Sequence, residues 1–289
     1  MRGIILAGGL GTRLYPSTLA VSKQLLPVYD KPMIYYPLSV LMLAGIRDIL
    51  LITTAFDLRN YKKLFGDGSK IGIRLKYKIQ KKPNGLVDAF ILGRNFIGKN
   101  NVCLILGDNI FYGDGLVDYL KKTKEIVDKE KKAVIFTYPV SNPSDYGIVI
   151  SKNNKFSKII EKPKKTNSNK AVVGLYFYPN SILEYSKLVN FSKRKELEIT
   201  DLNNIYLKKN ELEILELGRG FSWHDGGSPS SLQDVSQFIQ TIEKRMQYKI
   251  ACIEEIAFNN SWISKKQLKK LYIKNKSSEY GAYLRKIIL

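Results

Sequence analysis

Between Ile4 and Tyr138 the chain alternates between brief β-branched or apolar runs and stretches of helical periodicity. Ile4–Ala7, Ile49–Thr53, Ile73–Ile79, Val102–Leu106 and Ala133–Tyr138 read as strands. Pro37–Ala44, Asp57–Phe65, Leu86–Phe96 and Gly115–Glu130 read as the helices between them. Strands spaced by helices of this length predict βαβ units and a parallel sheet covered on both faces. After Pro143 the rhythm changes. Tyr146–Ser151, Phe156–Glu161 and Ala171–Tyr178 are short strands with little helix between them, so the sheet should become mixed, with antiparallel strands added at one side. Helices are expected at Asn180–Val189 and Thr200–Lys208, with Thr200 and Asp201 as the second one's start. A strand is expected at Leu212–Leu217. From Ser228 onward the pattern is helical, strongest over Gln233–Tyr248. One catalytic domain over residues 1–249 is expected, with a helical extension over 250–289 that belongs to the same domain or forms an oligomer contact.

No run of about 18 apolar residues is present, and Ile4–Ala7 is too short for a secretion signal. Cys103 and Cys252 lie too far apart in sequence to suggest a disulfide framework or a metal cluster, so a cytoplasmic protein with reduced thiols is expected. The formal charge is +21. Only ten of the 47 basic residues are arginine, and the lysines are spread along the whole chain. A nucleic-acid surface favours arginine for bidentate contacts. The charge therefore reads as a drift toward lysine that also raises the local concentration of phosphorylated small molecules. Neither a nucleic-acid nor a membrane partner is expected.

The chemistry starts at LAGGLGTRL, Leu6 to Leu14. A dinucleotide fingerprint needs G-x-G-x-x-G, and the third glycine position is Leu14. An acidic residue about 20 positions on would be Asp30, inside the turn-like VYDKP. An ATP-type loop needs G-x-x-x-x-G-K-[ST], and no such spacing exists. What remains is a glycine turn after the first strand that can present backbone N–H groups to anionic oxygens. Arg13 adds a fork that matches phosphate, and Lys23 a second cation.

LAGGLGTRL and the following SKQLLPVYDKPMIYYPL resemble the N-terminal signature of the sugar nucleotidyltransferases, in particular the branch acting on dTTP and glucose 1-phosphate. The resemblance continues through LGDNIFYG, EKP, GLYFY, ELEITDLN and GRGFSW. It implies an α/β fold: a Rossmann-like mixed, mostly parallel sheet with helices on both faces. It also implies a homo-oligomer, usually a tetramer, working in dTDP-sugar (dTDP-rhamnose) and polysaccharide biosynthesis. The reaction would be attack of a sugar phosphate oxygen on the α-phosphorus of dTTP, giving dTDP-glucose and pyrophosphate. Two other readings remain open: a sibling enzyme using UTP or another sugar 1-phosphate, and a non-catalytic nucleotide-sugar sensor.

Through the resemblance, Arg13 is expected to stabilise the transition-state charge and grip the departing pyrophosphate. Lys23 should contact the phosphates and Lys162 the incoming sugar phosphate. Magnesium would be held by Asp108 and Asp225, with Asp108 also on the nucleotide side. Gly8, Gly11, Thr12 and Gln24 should line the nucleotide site. Gln80 and Gly85 should read the base. A glutamine amide offers a donor and an acceptor, which suits thymine and uracil alike. Their one-methyl difference is worth only about 1–3 kcal/mol. Tyr146, Gly147, Glu161, Val172 and Gly174 should surround the sugar, with Glu196 and Glu198 nearby. Family members usually read Trp-x-Asp-Thr-Gly where this chain has Trp223-His224-Asp225-Gly226-Gly227, which removes a hydroxyl that could support the metal. His224, the only histidine, is expected to be structural. Tyr112-Gly113, Arg219-Gly220 and Glu255-Ile256 resemble a regulatory site between subunits, although Asp114-Gly115 departs from that pattern.

Overall fold

The computed structural model describes residues 1–9, 11–152 and 155–289; Leu10, inside the glycine turn, lies outside them. Among the described residues the strands begin with β1 (Arg2–Ala7), the two-residue β2 (Pro27–Val28) and β3 (Lys31–Pro32), and β4 (Asp48–Thr53). β5 (Arg74–Ile79), β6 (Val102–Leu106) and β7 (Ile110–Gly113) follow. The second half supplies β8 (Ala133–Pro139), β9 (Gly147–Lys152), β10 (Lys155–Glu161), β11 (Lys170–Tyr178), β12 (Leu212–Glu216) and β13 (Phe221–His224).

β5, β4, β1 and β6 lie side by side and parallel, as the continuous apolar runs require. β6 then pairs antiparallel with β11, β11 pairs antiparallel with β8, and β12 runs parallel to β8. The hairpin of β9 and β10 joins at the start of β11, where Ala171 faces Ile148. The sheet is thus mixed and mostly parallel. The antiparallel pairings lie at one side of the parallel block, beyond β6, as expected, and within that addition β11 sits between β6 and β8. Its sequence explains this, because every residue of β11 after Lys170 is buried. The character of an edge belongs to the β9–β10 hairpin, with exposed Lys155, Phe156 and Lys158, and to β5 at the far end, with exposed Arg74, Lys76 and Lys78.

Alternate residues of each strand feed opposite faces. Ile5, Leu51, Cys103, Ile105 and Phe177 enter one core; Ile4, Leu50, Ile52, Leu104 and Tyr176 enter the other. The C-terminal helices, Ile253–Asn259, Lys265–Asn275 and Glu279–Ile288, send Ile253, Ala257, Leu268 and Leu284 into the first of these cores. The helix Pro229–Met246 packs Val235 and Ile239 against Val28, Met33 and Tyr36 around the β2–β3 hairpin. Several helices are shorter than their periodicity suggested. The Leu86–Phe96 stretch breaks at Gly93 into Asp88–Leu92 and Arg94–Ile97. The helix expected from Thr200 begins at Ile199, with Glu198 at its N-cap. The Thr200 hydroxyl is turned to Glu161 instead of capping. The antiparallel pair of β7 and β13 was not anticipated, and it carries Asp225 to the mouth of the sheet.

Candidate active site

The loops that leave the C-terminal ends of β1, β5 and β6 meet in a cavity of about 350 Å³. Open parallel sheets bind ligands at this edge. Gly8, Gly11, Thr12 and Arg13 line it from the loop after β1, and Lys23 and Gln24 from the next turn. Gln80 and Gly85 line it from the loop after β5, and Asp108 from the loop after β6. Glu196 and Gly227 close it from the second half of the chain. Arg13 sits exposed in the single turn Thr12–Leu14. Lys23, in the turn Lys23–Leu25, forms an ion pair with Asp108 Oδ2. Gln24 is buried, and its Oε1 finds no hydrogen-bond donor among the described residues. Such an acceptor costs free energy unless a ligand or water supplies the donor.

On the base-reading side, Gly85 has φ +102° and lies against the Leu197 backbone; an added Cβ would come within 2.5 Å of Leu197 N. Leu197 N donates to Asn84 O at 2.7 Å, so this loop is clamped to the ELEIT segment. Gln80 is buried and donates from Nε2 to Asp88 Oδ2 at 2.8 Å.

The residues expected around the sugar lie outside that cavity's lining but adjoin it. Glu161 Oε2 accepts from the Thr200 hydroxyl at 2.5 Å and Oε1 from Arg194 at 3.4 Å. A Cβ on Gly147 would meet the same two groups, Thr200 Oγ1 at 2.9 Å and Glu161 Oε2 at 3.3 Å. Val172 and Gly174 share one face of β11 with Tyr176. Burial first, then the charges of Glu161 and Asp108, hold the Tyr176 phenol above its ordinary pKa, so both carboxylates flank that face. Glu198 is buried at the foot of the cluster, bonded by Ser192 at 2.8 Å and paired with Arg194 at 3.3 Å. Lys162 is exposed at φ +42°, its backbone N–H donating to Tyr146 O at 3.0 Å. Among the described residues its ammonium has no ion-pair partner.

Asp225 follows β13. Its Oδ2 accepts from Tyr146 OH at 3.1 Å and its Oδ1 from Gly227 N at 3.1 Å. The Tyr146 phenol is raised by burial and by Asp225, and Arg13 opposes the shift, which brings Arg13 into the electrostatic reach of this corner. The turn that follows Asp225 lies against the Asp108 backbone: a Cβ on Gly226 would lie 3.7 Å from Asp108 O. That glycine has φ +51°, and its Cβ would press on Met33 Cε at 2.8 Å, so a side chain here is doubly resisted. Two hard carboxylates fit a divalent cation. Among the described residues no cluster of three acidic, histidine or cysteine side chains accompanies them. The remaining ligands would therefore be phosphate oxygens and water, as magnesium prefers. His224, next to Asp225, is held by its neighbours. Its Nε2 lies 2.8 Å from Ser222 Oγ, its ring is tilted against Phe238, and burial lowers its pKa.

Four residues of this site escaped the sequence reading. Asn109 is the clip of its centre: its Oδ1 accepts from Trp223 Nε1 at 2.7 Å and from Gly174 N at 3.0 Å, and its Nδ2 donates to Asp108 at 2.8 Å. It stands beside Asp108 in the GDN turn, where adjacency was the available signal. Arg194 gathers Glu161, Glu196 and Glu198. Thr200 and Asp88 hold Glu161 and Gln80, and nothing local in the sequence announces either contact.

A second cavity, of about 510 Å³, is lined by Tyr112, Gly113, Asp114, Glu255 and Ile256. It brings together most of the residues that resemble a regulatory site, but Arg219 does not line it.

The family model for nucleotidyl transferases matches residues 2–242. A glucose-1-phosphate thymidylyltransferase of Neisseria meningitidis is 51% identical over 100% of this chain and 99% of its own length. One from Mycobacterium tuberculosis is 47% identical over 100% and 99%. A crystal structure of a candidate glucose-1-phosphate thymidylyltransferase from Bacillus anthracis, in complex with a sucrose, superposes with a TM-score of 0.76 at 38% identity, over 82% of this chain and 94% of that one.

Proposed function

The chain belongs to the nucleotidyl transferase family, and we infer that it joins dTTP to glucose 1-phosphate, releasing dTDP-glucose and pyrophosphate. The observation that carries the reading is the convergence, in one cavity, of the glycine turn with Arg13, the Lys23–Asp108 pair and the Gln80–Gly85 loop. Relatives that share about half of their residues over the full length support the choice of substrates.

Both substrates are polyanions, so the protein's task is to hold them together and neutralise charge at the α-phosphorus. A sugar phosphate oxygen attacks in line; the bond from the α-phosphorus to the bridging oxygen breaks, and pyrophosphate leaves with the electron pair. No protein nucleophile is needed. Arg13, exposed at the cavity, faces with its guanidinium fork the negative charge that grows on the departing pyrophosphate. Lys23 leaves its pairing with Asp108 to meet the triphosphate. Lys162 meets the sugar phosphate. The nucleotide backbone rests on the N–H groups of Gly8, Gly11 and Thr12, and the Gln24 acceptor takes a hydroxyl of the deoxyribose. Gln80 and the Gly85 N–H read the base. Glu161 accepts from sugar hydroxyls, with Tyr146, Gly147, Val172 and Gly174 shaping the rest of that pocket.

The family uses a divalent metal. Here Asp108 and Asp225 would hold magnesium, which when bound supplies charge neutralisation at the phosphates. No helix among the described residues is long and apolar enough to cross a membrane. A cytoplasmic homo-oligomer, a tetramer, completes the proposal, with residues 1–249 as the catalytic domain and 250–289 either part of it or a subunit contact. The test is a pyrophosphate-release screen of dTTP, UTP, ATP, CTP and GTP with glucose 1-phosphate and magnesium. Turnover with dTTP is expected, and chelation should abolish it. Tight nucleotide binding without pyrophosphate release would overturn the reading in favour of a sensor.

A further inference from the structure

We propose that Asp88 is a positioning residue that locks the amide of Gln80 in one orientation and thereby makes the site reject cytosine. The proposal rests on the reading of Gln80 as the base-contacting residue. A carboxylate only accepts hydrogen bonds. Asp88 Oδ2 lies 2.8 Å from Gln80 Nε2, and both side chains are buried. The amide nitrogen must therefore face Asp88, because the flipped amide would set two acceptors against each other with no proton between them. The oxygen is then committed to the other side. It lies over Gly8, on the floor of the cavity, where a Cβ would meet Gln80 Oε1 at 2.7 Å. The glycine keeps this acceptor open to a ligand.

A glutamine free to rotate by 180° about its last bond serves two kinds of pyrimidine. With its oxygen toward N3 it suits thymine or uracil, whose N3 carries a hydrogen. Flipped, it offers N–H to the bare N3 of cytosine and its oxygen to the exocyclic amine. Asp88 removes the second option. Rejection here comes from an unpaired acceptor facing another, which discriminates far more strongly than a methyl group does. Asp88 has this geometry because the loop after β5 turns back at Gly85, so that the first residue of the helix Asp88–Leu92 faces the last strand residue's neighbour, Gln80.

The test compares wild type with the isosteric Asp88→Asn. An asparagine can accept from Nε2 or donate to Oε1, so the amide is released. Calorimetric dissociation constants for dTTP, dUTP and dCTP are measured on the same preparation with magnesium, so that each ratio is independent of the fraction folded. The dCTP-to-dTTP ratio should fall by about 10–100-fold in Asp88→Asn, while the dUTP-to-dTTP ratio stays within twofold. An unchanged dCTP-to-dTTP ratio overturns the proposal. So does an equal drift of both ratios, which a merely structural role would give. Pyrophosphate release by wild type is followed in parallel. Its absence sinks the transferase reading, whereas the binding ratios decide the role of Asp88 on their own.

Discussion

On the nucleotide side of the cleft the polar groups stand on loops that leave neighbouring parallel strands, and the outermost cation, Arg13, is exposed at the cavity. On the sugar side and at the centre of the cleft they come mainly from residues 146 to 225, with Asn109 from the loop after β6, and the acceptors are already held. Thr200 and Arg194 hold Glu161, Tyr146 and Gly227 hold Asp225, and Trp223 and Gly174 hold Asn109. The first side offers charge that can move with a reacting phosphate. The second offers lone pairs fixed in place before any ligand arrives, those of Glu161 toward the unchanging hydroxyls of the sugar. Charge that follows the reaction lowers the barrier, while fixed acceptors bind ground and transition states alike.

The contrast makes its largest prediction at Arg13. Arg13→Ala should lower kcat by about 10²–10³, the cost of removing one transition-state donor, and leave the KM for glucose 1-phosphate within a few-fold. Steady-state pyrophosphate release at saturating substrates measures it. A variant with full kcat and a raised KM would make Arg13 an ordinary binding cation, and the two sides of the cleft would cease to differ.

Glu161→Gln should give the opposite signature. Its carboxylate keeps lone pairs for sugar hydroxyls beyond those used by Thr200 and Arg194. Hydrogen bonds to a charged group are worth about 1.5–3 kcal/mol, so KM for the sugar phosphate should rise by roughly 10–100-fold. Binding of dTTP alone, followed by calorimetry, should not move. Equal losses for both substrates would show that the arginine-centred cluster supports the whole cleft rather than the sugar.

The same contrast explains how much the sequence disclosed. β1, β4 and β6 were legible because a strand buried on both faces is a continuous apolar run, and the residues on the loops after β1, β5 and β6 occupy the place where such sheets bind ligands. Asp225, Glu161 and Lys162 were reached only through resemblance, since no local rule joins segments so far apart in the sequence. The strands β7 and β13 are four residues each, too short for their alternation to stand out. The insertion of β11 between β6 and β8 depends on which neighbours it pairs with, and periodicity is silent on pairing. Asn109 was passed over because its partners, Trp223 and Gly174, become neighbours only in the folded chain.

The smallest effect concerns the expense of pre-organising the sugar side, and Glu198 reports it. Burial holds its carboxyl above the ordinary value of 4.5, with Glu161 and Glu196 adding to the shift and the Ser192 hydroxyl and Arg194 opposing it. Between 4.5 and the raised folded value the native protein therefore binds a proton that the unfolded chain has released. Stability must fall as pH climbs through that window and level off above it, since unfolding is favoured wherever the native state holds more protons. Glu198→Gln should remove this component of the slope, which thermal melts from pH 4 to 7 would register as a flatter profile. Arg194→Gln should steepen it, because the opposing cation is lost and the carboxyl rises further. Profiles that stay superimposable in both variants would mean that the three carboxylates around Arg194 are fully relaxed by solvent, and that the sugar side is no more constrained than the nucleotide side facing it.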